Sequence, residues 1–83
     1  MKRIFLNLKI QNGEYEYNSK SVHTVNEGVI NENFAQSYAS IFYDKPAHRD
    51  GDVHYFHGGE VAVKVYEVKD ISEEEFNVLS KFL

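Results

Sequence analysis

Two short glycine turns, each flanked by alternating apolar residues, constrain this sequence more than any other feature. Apolar residues occupy every second position from Ile4 to Ile10, which is the period-two pattern of a strand with one buried face. Asn12-Gly13 follows directly. This dipeptide favours a two-residue hairpin loop because both of its residues tolerate a positive φ. We therefore predict a β-hairpin that turns at Asn12-Gly13.

The predicted hairpin sorts side chains by chemistry. A two-residue loop at Asn12-Gly13 places Ile10 opposite Tyr15 and Lys9 opposite Glu16. Apolar side chains then share one face of the sheet, while opposite charges meet on the other face. We expect the second strand to continue to about Val25, although its alternation is weaker.

The second half of the sequence repeats this arrangement around Gly58-Gly59. We predict a third strand from Asp52 to His57 and a fourth from Glu60 to Lys69, joined by this second glycine turn. Strict alternation in the fourth strand puts the valines at 61, 63 and 65 on one face. The opposite face would hold Ala62, Lys64, Tyr66 and Val68.

Two helices complete the predicted fold. The first is expected over residues 32–43, with Asn31 as its N-cap and Asp44-Lys45-Pro46 as its end. The second begins at Ser72, which forms the S-x-x-E pattern of a capping box with Glu75. The predicted fold class is α+β, in ββαββα order, with an antiparallel sheet of about four strands and both helices on one face. We expect residues 1–83 to form a single small domain.

Composition narrows the classes of function. The sequence has no cysteine and a formal net charge of −4, all of it in residues 44–83 with five bases and nine acids. Thiolate metal sites and cysteine nucleophiles are excluded, and a reducing cytoplasmic location is expected. An acidic chain binds phosphate backbones poorly, so nucleic acid is not an expected partner. No apolar run is long enough to predict a membrane span.

The segment 48–60 contains the densest group of potential metal ligands. A metal site would use His48, Asp50, Asp52 and His54, with His57 as a further candidate. No recognised zinc or calcium spacing occurs there. The alternative interpretation is a polar loop that leads into a hairpin. In it, His57 pairs with Glu60 across the turn, and His54 is a core-side histidine hydrogen-bonded to the backbone.

The sheet face without a covering helix is the predicted partner-binding surface, because exposed aromatic and apolar groups on such a face are typical of interfaces. The candidate residues are Phe5, Val53, Tyr55, Lys64 and Tyr66. We expect a non-enzymatic protein-binding module, a small acidic regulator or inhibitor without a cofactor, for which a homodimer is also plausible.

Two alternatives use the same features differently. A metal-binding domain or metal-dependent hydrolase would use the His/Asp group of residues 48–57. A binder of nucleotides or other small ligands would stack its ligand on Tyr55, Tyr66 or Phe5.

Overall fold

The structure is a computed structural model that describes residues 1–44 and 46–83. Lys45, within the predicted end of the first helix, lies outside the described residues. The strands and helices, in chain order, are β1 (Lys2–Asn12), β2 (Tyr15–Val25), α1 (Asn31–Ser40), β3 (His48–Asp50), β4 (Val53–Phe56), β5 (Val61–Ile71) and α2 (Glu73–Phe82). The strands form one antiparallel sheet in the order β2-β1-β5-β4-β3.

The α+β class and the antiparallel sheet are confirmed, but within residues 1–44 and 46–83 the sheet has five strands where we predicted about four. The additional strand is β3, which pairs with β4 through His48 opposite Tyr55 and Asp50 opposite Val53. All three residues of β3 are exposed. They therefore lack the alternation of buried and exposed positions that makes a strand visible in a sequence.

The first hairpin forms one residue later along the chain than predicted. Asn12 pairs with Tyr15, so the two-residue loop is Gly13-Glu14, and Ile10 lies opposite Tyr17. Gly13 adopts a φ of 61°, a conformation that glycine accepts without steric cost. The partner of each β1 residue shifts by two positions, which leaves every side chain on its predicted face.

The core lies between the sheet and α1. On β1 it contains the four alternating apolar residues from Ile4 to Ile10, each with no exposed surface. Ala35 and Ala39 of α1 are also fully buried. They pack with Leu6, Leu8 and Ile10 of β1 and with Val63 of β5. Small side chains on α1 let the helix approach the sheet closely. Deleting one large core side chain, as in Leu8→Ala, would cost about 2–5 kcal/mol.

Helix α1 begins one residue before the predicted start and ends earlier, at Ser40. Its N-cap position is Ile30, not the predicted Asn31. Asn31 instead donates a hydrogen bond from its Nδ2 to Oδ1 of Asp70 at 3.1 Å, which ties the start of α1 to the end of β5.

Helix α2 begins as predicted but does not share a face of the sheet with α1. Its capping box is complete: the Glu75 amide donates to Ser72 Oγ, and the Ser72 amide donates to Glu75 Oε1. The Arg3 guanidinium lies 6.0 Å from the centre of the Phe76 ring on α2. Arg3 and the buried Ile4 are consecutive in β1, so their side chains point to opposite faces of the sheet. Helix α2 therefore lies against the face opposite α1. The prediction of two helices on one face is therefore wrong.

Helix α2 packs only loosely on the sheet. It contacts β1 and β2, and none of its described residues is buried. Among the described residues, neither helix is long and apolar enough to cross a membrane.

A β-bulge in β5 changes the predicted alternation. Asn7 pairs with Glu67 and Leu8 pairs with Val65, so Tyr66 is an extra residue on β5. Beyond the bulge, Val68 lies opposite Leu6 and packs against the core. The prediction that Val68 faces away from the core is therefore wrong, because one inserted residue reverses the alternation.

The second hairpin keeps its predicted register with a wider turn. Phe56 pairs with Val61, and the chain between them forms a short helical turn over His57–Gly59. His57 has a φ of 54°, so it belongs to the turn and not to the predicted third strand.

Candidate functional site

The sheet face opposite α1 is only partly covered, and we call its uncovered part the open face. Helix α2 contacts the end near Arg3. The open face consists of side chains from β1, β4 and β5 that share the side of Lys9, as their pairing shows: Lys9, Gln11, Val53, Tyr55, Ala62, Lys64 and Tyr66. In the part of the chain that the structure describes, no helix packs over this group.

The centre of the open face is a shallow depression of about 220 Å³. It is lined by Lys9, Gln11, Glu16, Val53, Ala62 and Lys64. Val53 and Ala62 supply its apolar floor and are partly buried. Pockets for drug-sized ligands usually measure about 300–1,000 Å³ and enclose most of the ligand. This depression suits a single projecting side chain better than a whole small molecule.

Three charged side chains line the depression on the open face: Lys9, Glu16 and Lys64. Lys9 and Lys64 occupy directly opposite positions on β1 and β5, where like charges repel each other. Glu16 Oε1 lies 2.8 Å from Lys9 Nζ, and this contact raises the pKa of Lys9. Lys64 forms no ion pair with any described residue. The lining of the depression therefore carries two lysines and one carboxylate, although the chain as a whole is acidic.

Four of the five predicted partner-binding residues lie together on the open face. Val53 pairs with Lys64, and Tyr55 pairs with Ala62, so their side chains are neighbours. Tyr66 is 66% exposed. The preceding residue, Val65, lies opposite Leu8 on the core side, so the alternation of β5 places Tyr66 on the open-face side.

Phe5 is the exception among the predicted partner-binding residues. It is four positions from Lys9 along β1, or about 13 Å. Lys69 Nζ lies 5.6 Å from the centre of the Phe5 ring, which is a cation–π arrangement. Phe5 is partly buried, near the end of the sheet that α2 contacts. It therefore belongs to a separate patch.

Three of the four predicted metal ligands are divided between the two sides of the sheet, and the fourth, Asp52, lies in the turn between β3 and β4. His48 and Asp50 pair with Tyr55 and Val53 and share the open-face side. His54 lies opposite Val63, on the core side. No three His, Asp or Glu side chains among the described residues are placed to hold a metal ion together.

His54 instead forms a buried polar contact that the sequence did not predict in detail. It is 2% exposed, and its Nε2 lies 2.9 Å from Gln36 Oε1 on α1. Within the described residues its Nδ1 is buried without a hydrogen-bond partner. Burial, and to a smaller extent the charge of Arg49, lowers the pKa of His54, while Asp52 opposes this shift. The lowered pKa favours the neutral imidazole. His54 lies on the core side, as the alternative interpretation predicted, but its partner is the Gln36 side chain and not the backbone.

A second histidine lies at the other side of α1. His23 packs against the rings of Phe34 and Tyr38 at 5.3 and 4.7 Å, and its Nε2 lies 2.7 Å from Ser21 Oγ. Burial lowers the pKa of His23. Nothing in the sequence distinguished this residue, because its aromatic neighbours come from α1 only after the helix docks on the sheet.

Comparisons with known proteins assign no relative to this chain. The sequence matches no protein-family model, and no curated protein or solved structure is significantly similar to it. The function must therefore be inferred from the open face itself.

Proposed function

We propose that this chain is a non-enzymatic protein-binding module, a small acidic regulator or inhibitor that docks a partner protein on its open face. One observation carries the proposal: Val53 lines a shallow depression on the sheet face opposite the helix that forms the core, and Tyr55 and Tyr66 lie on the same face. Tyrosine is favoured at protein interfaces because it buries a large rigid surface and keeps a polar hydroxyl.

The charges of the open face indicate the chemistry of the partner. Lys64 forms no ion pair with a carboxylate of any described residue, and it lies opposite Lys9. A partner carboxylate at this position would relieve the repulsion between the two lysines. The depression beside Lys64 has an apolar floor of Val53 and Ala62. We therefore expect a partner that inserts one apolar side chain next to an Asp or Glu.

The location of the proposed interaction is the cytoplasm. A chain without cysteine needs no oxidising compartment to fold, which supports this part of the proposal.

The test starts by identifying the partner through the open face. A photo-crosslinking amino acid is placed at Tyr55 and, in a matched control, at Tyr15. Tyr15 is 78% exposed and lies on the other side of the sheet, opposite Asn12. The proposal expects a crosslinked protein from the source cell with Tyr55 and not with Tyr15.

The affinity of the purified partner then provides the quantitative measurement. We expect Tyr66→Ala and Lys64→Glu each to weaken binding by about tenfold or more, as at interface hot spots. Tyr15→Ala should leave the affinity unchanged. If the two open-face variants bind as tightly as the wild type, the open face is not the docking surface.

A further inference from the structure

The strand β2 forms one edge of the sheet and is unusually long for an edge. It has 11 residues, and all of them pair with β1 in an uninterrupted register. The opposite edge strand, β3, has only three residues. Natural proteins usually protect sheet edges with short strands, charged side chains, prolines or bulges, because a long regular edge can pair with another strand. The strand β2 contains neither a proline nor a bulge.

The hairpin geometry identifies the backbone groups that this edge presents. Asn12 and Tyr15 flank the two-residue loop, so they exchange hydrogen bonds with each other. Hydrogen-bonded and non-hydrogen-bonded pairs alternate along an antiparallel ladder. The odd-numbered residues of β2 therefore bond to β1. The even-numbered residues, from Glu16 to Thr24, direct their backbone N–H and C=O groups away from β1.

The charged residues of β2 favour one register for its pairing with β2 of a second copy. We consider two antiparallel β2 strands related by a two-fold axis normal to the sheet. Their overlap is longest when the axis passes through Lys20, the middle residue of β2. That register, however, places the two Lys20 side chains opposite each other. Centring on Asn18 instead places each Lys20 opposite Glu16 of the second copy. Both side chains are exposed and lie on the same face of β2. Two opposite-charge pairs thus replace one like-charge pair.

We propose that two copies of this chain associate through antiparallel pairing of their β2 strands, centred on Asn18, to form a continuous ten-stranded sheet. The paired segment runs from Tyr15 opposite Ser21 to Ser21 opposite Tyr15.

The dimer leaves the proposed partner-binding surface accessible. The two-fold axis is normal to the sheet, so both open faces lie on the same side of the assembly. Lys64 is on β5, two strands from β2, or about 10 Å away. The assembly would therefore present two docking surfaces to a partner. Glu16 also lines the depression, so Lys20→Glu is the variant that tests dimerisation away from the docking surface, and self-association is measured without the partner.

The experiment measures self-association of the full chain by sedimentation velocity between about 1 and 200 µM. We expect a monomer–dimer equilibrium for the wild type. Lys20→Glu and Glu16→Lys should each weaken the dimer by about tenfold, because each creates two repulsive pairs. The double variant, Glu16→Lys with Lys20→Glu, should restore the wild-type affinity to within about threefold.

Net charge alone cannot produce this pattern. Lys20→Glu makes the chain more acidic and Glu16→Lys makes it less acidic, yet both should weaken association. Lys64→Glu changes the charge as Lys20→Glu does, but lies on an interior strand, so it should leave the dimer intact. Thermal melting shows that each variant is folded. A chain that stays monomeric over the whole concentration range would overturn the proposal. A dimer whose affinity neither single substitution changes would do the same.

Discussion

Lys9 and Lys64 lie directly opposite each other on the neighbouring strands β1 and β5. Glu16 compensates the charge of Lys9 at 2.8 Å, while Lys64 has no such partner among the described residues. A repulsive pair at the centre of a sheet face lowers the stability of the free protein. Such a cost is typical of residues that are used for binding.

The first prediction follows from this pair. Lys64→Glu replaces a like-charge pair with an opposite-charge pair and should raise the free energy of unfolding by about 0.2–1 kcal/mol. Urea denaturation measures the change, which should shrink in about 1 M salt because the charges are exposed. Lower stability of the variant at low salt would contradict the electrostatic explanation.

The second prediction concerns pH and His54. Its pKa is lowered in the folded protein, so the unfolded chain takes up the proton first as the pH falls. The stabilisation is complete above about pH 6.5, the pKa of an unperturbed histidine, and is lost as the pH falls through the lowered pKa. Urea denaturation should show that His54→Gln flattens the pH dependence of stability below about pH 6.5.

A control separates this effect from a general change of stability. Ser80→Ala removes a hydrogen bond within α2 without changing a titratable group, so it should leave the slope unchanged. Some slope should remain in His54→Gln, because burial also lowers the pKa of His23. A slope identical to that of the wild type would show that His54 is not the titrating group.

The third prediction concerns the two hydroxyls of Tyr17 and Tyr43, which lie 3.3 Å apart. This hydrogen bond, with a smaller effect of burial, raises the pKa of Tyr43 to about 12. Stability should therefore be lost as the pH rises from about 10, the pKa of an unfolded tyrosine, through this value. In an absorbance titration of tyrosinate, Tyr17→Phe should lower the pKa of Tyr43, whereas Tyr15→Phe should not.

The fourth prediction concerns the anchoring of α2. Because no described residue of this helix is buried, its capping box should contribute a large share of its local stability. Ser72→Ala should cost about 1 kcal/mol and speed amide hydrogen exchange across residues 73–82. Ser80→Ala, which removes a hydrogen bond from Oγ to the Asn77 carbonyl in the same helix, is the control. Equal exchange in both variants would contradict the prediction.

The sequence predicted features that depend on neighbours along the chain. The alternation from Ile4 to Ile10 identified the buried face of β1, and the Ser72–Glu75 pattern located the start of α2. The hairpin register was wrong by one residue at the turn, yet the faces were correct. Alternation has a period of two, so a partner shift of two positions preserves it.

Contacts between distant parts of the chain determined the features that local sequence patterns did not predict or predicted wrongly. The bulge at Tyr66 returns Val68 to the core, because pairing across the whole length of β1 and β5 must absorb an extra residue. Helix α2 reaches the opposite face from α1, although its amphipathic pattern suits either face. His54 meets Gln36 only when α1 docks on β4. Such contacts join residues far apart in the chain, so only the packed fold could determine them.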